Sequence, residues 1–245
     1  MPVKVVAVTE VGRRTNNEDS FFKYRNDKLY GGLVADGMGG HNKGDLASKL
    51  AKDVIKDYIM SNFEDTMDSF DVSELMRTAV LRANNKIYEM ATKNPICLGM
   101  GTTVTMGFIF DKWIITAHVG DSRAYLFNGS SVEKITKDHS YVRELLDRGV
   151  ISEEEAKRHP KRNCITRAVG TERTVMVDIN VRKYKGETVF LCSDGLWAYV
   201  EDEKICEIIK NSPDEEVAAE QLVEMALLNG SNDNITVIIV KGEVR

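Results

Sequence analysis

The sequence lacks several things that would place it quickly. Its four cysteines, Cys97, Cys164, Cys192 and Cys206, form no CxxC pair, so neither a zinc site nor a disulfide framework is expected and the thiols are read as reduced. No run approaches the ~20 apolar residues of a membrane span. The opening MPVKVVAVTEVG is too short in its apolar part and too broken by charge for a signal peptide, so a cytoplasmic location is expected. Lys and Arg never cluster into a block, and the net charge is −5, which argues against a nucleic-acid or anionic-membrane surface. Linkers, low-complexity tracts and internal repeats are missing too, so residues 1–245 are read as one domain. The sequons at Asn128 and Asn234 are chance matches if the chain is never secreted.

What is present is apolar content for a sizeable core, 42% of 245 residues, and acidic residues set against glycines. The stretch Gly31 to Ser48, GGLVADGMGGHNKGDLAS, is an apolar run that ends on Asp36, then a glycine-dense turn, then a helical pattern. Gly37, Gly39, Gly40 and Gly44 let the backbone approach an ion or phosphate without Cβ clashes. Taken alone, Asp36 is equally a helix-capping residue in a tight turn. Three further segments shift that balance: VGDSRAYL around Asp121, LCSDGLW around Asp194 and SNDNITVIIV around Asp233. Each puts an Asp at one end of a strand-like run. Four such carboxylates gathered at a sheet edge, without His or Cys, suit Mg²⁺ or Mn²⁺.

The rest of the chain reads as strands and helices. Val3 to Val8, the run after Asp19, and Tyr30 to Ala35 have strand character. Helical spacing runs from Asp45 to about Ile59, and again over Val72, Leu75, Met76, Ala79, Val80, Ala83 and Ile87 after a capping box at Asp71 and Glu74. TTVTMGFIF, KWIITAHV and SRAYLF suggest an antiparallel meander with Asp121 in a turn, and Asn128-Gly129 a hairpin to Ser131–Ile135. Between Asp138 and Asn163 a charged segment with two short helical patterns, the second begun by Ser152 with Glu155, has little apolar surface to bury. It is expected to be a mobile insertion, a flap at about 140–163 beside the site. Strands return at Met176–Tyr184 and Glu187–Cys192. A helix over Asp214–Leu228, capped by Ser212 and Pro213, precedes a last strand at Asn234–Lys241.

The ordered set RTNNED, VADGMGGHNKGDLAS, GTT, AHVGDSRAYL, KDHS, ITRAVG, LCSDGLW and SNDNIT resembles the metal-dependent serine/threonine protein phosphatases of type 2C, in their short bacterial form. The likeness runs from about Val6 to Val240. It implies an α+β fold, a two-sheet antiparallel β-sandwich flanked by helices on both sides, with two Mn²⁺ or Mg²⁺ ions at one end. By the family pattern Asp36 bridges both ions, the Gly37 carbonyl joins it on one, and Asp194 and Asp233 complete the other. Glu18 and Asp19 would hold metal-bound waters, Asn234 would orient Asp233, and Asp121 with Asp194 would hold a third, weaker ion. Arg14 would take the phosphate oxygens in a forked pair. The implied reaction is hydrolysis of phosphoserine and phosphothreonine by in-line attack of a hydroxide bridging the ions.

One position departs from the pattern: Met38 stands where many eukaryotic members have a histidine proposed as general acid. His41, three residues on, is a candidate proton donor, and a metal-bound water is the preferred one. His118, His139 and His159 are expected to be structural or exposed, and Thr102 and Thr103 to be packing residues near the cleft. The expected partners are phosphorylated proteins, a serine/threonine kinase and its substrates, with the phosphatase itself a monomer. A nucleotide hydrolase is a poor reading of the residues around Lys43, because Asn42 and Gly44 do not fit a Walker loop. The remaining alternative is a non-catalytic metal-binding adaptor that keeps the fold, which has no chemical need for every acidic position.

Overall fold

A computed structural model describes residues 3–39 and 43–242. In chain order the elements are β1 (Lys4–Glu10), β2 (Asp19–Arg25), β3 (Leu29–Met38), α1 (Lys43–Asn62), α2 (Ser69–Lys93), β4 (Gly101–Thr102), β5 (Val104–Phe110), β6 (Trp113–Val119), β7 (Arg123–Phe127), β8 (Val132–Lys134), α3 (Tyr141–Asp147), α4 (Glu153–Arg158), β9 (Asp178–Lys183), β10 (Thr188–Cys192), α5 (Asp194–Trp197), α6 (Asp202–Asn211), α7 (Glu215–Leu228) and β11 (Ile235–Lys241). One sheet has the order β1-β11-β10-β7-β8 and the other β2-β3-β5-β6-β9, with β4 beside β3. Every pairing is antiparallel. No helix among the described residues is long and apolar enough to cross a membrane.

The central strands are apolar on both faces because each is covered twice. In β5 every residue is buried, with Met106 and Phe108 facing α1 and α2 and Ile109 facing the other sheet. In β11, Ile235, Val237 and Ile239 face α6 and α7, while Ile238 and Val240 meet Val34, Ile109 and Leu191 between the sheets. The alternation of a strand thus divides one apolar run between two cores. The result is helix, sheet, sheet, helix, the layering that the resemblance implies.

Three local expectations need correction. The second helix is capped one turn earlier: Asp68 accepts from the N–H groups of Phe70 and Asp71, and Asp71 reaches back to the Asp68 N–H at 3.1 Å, so Glu74 lies inside the helix. For α7 the cap is Asp214, bonded to the Val217 N–H at 2.9 Å, while Ser212 ends α6. The meander also breaks: β5 and β6 pair, but β7 lies in the opposite sheet beside β10. Gly120, at φ +113°, makes the corner that carries the chain across. The Ser152 capping box at α4 is as expected.

Candidate active site

The crossover brings the acidic residues to one end of the sandwich. Asp36 lies near the end of β3, opposite Asp19 at the start of β2. Asp194 follows β10, Asp233 precedes β11, and Asp121 follows the Gly120 corner. The antiparallel order forces this convergence, since those strand ends all fall on the same edge. The beginning of α1 packs against the same point: a Cβ on Gly37 would lie 2.1 Å from the Gly44 carbonyl oxygen, and one on Gly44 would lie 2.8 Å from the Glu18 carboxyl carbon. Both positions therefore require glycine.

Asp36 is held through its backbone. Thr102 Oγ1 donates to its carbonyl at 2.9 Å, as does the Thr103 N–H at 2.8 Å, and its own N–H donates to Thr103 Oγ1 at 2.9 Å. Thr103 continues to Ser122 at 2.7 Å. Asp19 is buried and accepts from Ser193 Oγ at 2.7 Å and Thr236 Oγ1 at 2.6 Å, a join between the two sheets. Through its side chain Asn234 accepts the Glu18 N–H at 2.8 Å and donates to the carbonyls of Val11 and Asn16, fixing the 11–18 loop. Its backbone N–H makes the bond to Asp233, at 2.8 Å. Arg14 pairs with Asp233 at 2.8 Å. His41 lies outside the described residues. His118 and His139 are buried, and His159 packs against Tyr141, in keeping with structural roles.

The electrostatics are those of anions kept from water and from compensation. Burial, then the charges of Asp194, Asp19, Asp121 and Asp233, hold Asp36 well above the ordinary carboxylate range. Burial, then Asp194 and Asp138, do the same to Asp121. Burial raises Asp19 to about 7 and, with Asp233, Asp194 to about 6, even though Asp194 is hydrogen-bonded to Asp36. Among the described residues no three His, Cys, Asp or Glu side chains form a ready-made metal cage. The donors nevertheless fit a hard divalent ion. All are oxygens, Asp121 Oδ1 is buried with no hydrogen-bond partner, and Mg²⁺-like ions keep part of their water shell. A cleft of about 640 Å³ is lined by Arg14, Asp121, Asp194 and Asp233 together with Arg143 and Arg162 of the 140–163 segment.

Comparison with known proteins agrees. Residues 10–226 match the family described as protein phosphatase 2C. The chain is 36% identical over 236 residues to the serine/threonine phosphatase stp of Listeria innocua, covering 95% of this chain and 93% of that one. It superposes on the crystal structure of Stp1 from Staphylococcus aureus with TM-score 0.92 at 34% identity, covering 100% of this chain and 96% of the other. The catalytic domain of the phosphatase PstP, in complex with two manganese ions, matches with TM-score 0.84 at 34% identity over 98% and 97% of the two chains. Fold and site together define a metal-dependent phosphoric monoester hydrolase. More narrowly, the chain belongs to the protein phosphatase 2C family of serine/threonine protein phosphatases, in its short bacterial form.

The sequence reading missed the hydroxyls of Thr103, Ser122, Ser193 and Thr236 as supports of the acidic cluster. Their signal was present: each is a small hydroxyl residue within three positions of a site motif, or beside one across the sheet.

Proposed function

We propose that the protein removes phosphate from phosphoserine and phosphothreonine in proteins, with Mn²⁺ or Mg²⁺ as cofactor, and opposes a bacterial serine/threonine kinase. The convergence of Asp36, Asp121, Asp194 and Asp233, each beside a strand end, carries this reading. Asp36, the Gly37 carbonyl, Asp194 and Asp233 would hold two ions, and Asp121 with Asp194 a weaker third. Glu18 and Asp19 would hold waters between them and the protein. When bound, the ions supply a water acidic enough to act as nucleophile and positive charge for the phosphoryl oxygens.

The chain's own groups do the rest. Arg14, which lines the cleft, exchanges the Asp233 carboxylate for two phosphate oxygens and holds phosphorus for in-line displacement. Met38 has no proton to give, so the leaving oxygen takes its proton from water or from His41. The 140–163 segment, a flap on this reading, walls the cleft with Arg143 and Arg162 and meets the residues that flank the phosphoamino acid. A soluble cytoplasmic monomer fits these roles.

The test is phosphate release from a phosphothreonine peptide by the purified protein, with Mn²⁺ and with chelator, beside Asp194→Asn. Turnover should need the ion and fall by at least about a hundredfold in the variant, the scale on which lost metal ligands act. A folded protein that binds Mn²⁺ but turns over no phosphopeptide would instead be the adaptor.

A further inference from the structure

Next to the acidic cluster, one residue makes an unusual set of bonds. The backbone N–H of His139 donates to the Gly120 carbonyl at 2.7 Å, and the Gly120 N–H donates back to His139 Nδ1 at 3.0 Å. A single residue thus grips both polar groups of Gly120, the corner where the chain changes sheets. An amide can only donate, so Nδ1 is the acceptor and the ring proton sits on Nε2. Nε2 lies between Asp178 Oδ2 at 3.1 Å and Arg167 Nη1 at 2.8 Å, and that same arginine nitrogen donates to the other oxygen of the carboxylate at 2.7 Å. Asp178 is the first residue of β9, and the His118 ring lies 4.7 Å from the His139 ring. The ring is therefore fixed at both nitrogens and on one face.

The residue after Gly120 is Asp121. It is buried, and its Oδ1 has no hydrogen-bond partner. No neighbouring side chain is bonded to that free oxygen, so its direction depends on the backbone that carries it. Gly120 stands at φ +113°, and a Cβ there would lie 2.6 Å from the Thr103 side chain. We propose that His139 is a positioning residue for Asp121, gripping the Gly120 corner so that the Asp121 carboxylate points into the acidic cluster.

The same residue ties in the 140–163 segment, because its carbonyl accepts the Thr166 N–H at 2.8 Å while Ser140 and Ile165 pair across the segment's base. The consequence for cation binding rests on the reading that Asp121 is a ligand of the weaker ion.

Two substitutions separate the ring's two nitrogens. His139→Asn puts an amide oxygen where Nδ1 lies and keeps the acceptor for Gly120. His139→Gln puts its polar group near Nε2 and loses that acceptor. Mn²⁺ titration followed by paramagnetic resonance reads the tight and weak sites separately, and hydrogen exchange in chelator reads the Gly120 amide without any cation.

His139→Gln should weaken the weak site by roughly ten- to a hundredfold, spare the tight sites and speed exchange at Gly120, while His139→Asn stays near wild type in both. Equal behaviour of the two variants, or loss of all sites in step with a lower melting temperature, would overturn the proposal. So would an unchanged weak site in His139→Gln where Asp121→Asn abolishes it. If Asp121→Asn leaves every Mn²⁺ site unchanged, the ligand assignment falls instead, and the Gly120 exchange contrast alone decides whether His139 holds the corner.

Discussion

At the scale of single residues, the site is built where backbones meet without side chains between them. Gly37 and Gly44 bring the end of β3 and the start of α1 together beneath Glu18. Gly44→Ala would set a methyl 2.7 Å from the Gly37 carbonyl and 2.8 Å from the Glu18 carboxyl carbon, and backbone cannot yield as a flexible side chain does. We expect a stability loss of about 1–3 kcal/mol in urea unfolding, as for other overpacked sites. Mn²⁺ affinity should weaken with it, since Glu18 and Gly37 are displaced together; an alanine variant with wild-type stability and affinity would show that the contact relaxes freely. These glycines and the four aspartates were legible in the sequence because their spacing has few other uses. The side-chain bonds of Asn234 were not, since its partners Val11, Asn16 and Glu18 are more than 200 positions away.

At the scale of elements, periodicity located the long helices and the buried strands but not how strands were shared between sheets. KWIITAHV and SRAYLF read as neighbours because only a short break separates them. The break contains Gly120, whose positive φ and His139 clamp send β7 to the opposite sheet. A three-residue corner and a hairpin turn look alike in sequence, and the bonds that choose between them come from residue 139. Helix starts were misplaced for a related reason. Several acidic residues stand near each start, and the one that caps is set by where the chain leaves the preceding loop.

The α2 start can be tested directly. Asp68 accepts two backbone N–H groups, so Asp68→Ala should cost about 1 kcal/mol. Glu74 makes only a partly exposed ion pair with Arg77 at 3.0 Å, so Glu74→Ala should cost no more than about 0.5 kcal/mol. Chemical denaturation of both variants checks the order, and a larger loss for Glu74→Ala would restore the later cap.

At the scale of the whole molecule, folding gathers acidic side chains that an unfolded chain would keep apart in water, and stability must then depend on pH in a particular direction. Asp19 is held at about 7 and Asp194 at about 6, with Asp36 and Asp121 also raised, all chiefly by burial. A carboxyl whose value is higher folded than unfolded binds its proton more tightly in the folded state. Its contribution is fully present below the unfolded value, near pH 4, and is lost as the pH rises through the folded value. Groups shifted the other way, such as Glu215 at about 2 beside Lys241 and Lys4, add stability that is lost only in acid.

Buried His118, held at about 3, and His139, also lowered by burial, add stability as the pH rises toward the ordinary histidine value of 6.5. The raised carboxyls should therefore govern the slope only between about pH 7 and pH 8. In chelator the melting temperature should fall across that range. With saturating Mn²⁺, which binds the ionised carboxylates, the fall should be cancelled, so the stabilisation by the ion should grow steadily with pH. Melting curves in the two conditions, at several pH values, read this without any substrate. A melting temperature that rises over that range in chelator, or an increment from Mn²⁺ that is the same at every pH, would mean that the four strand ends do not crowd their carboxylates, and the cation would have no such charge to relieve.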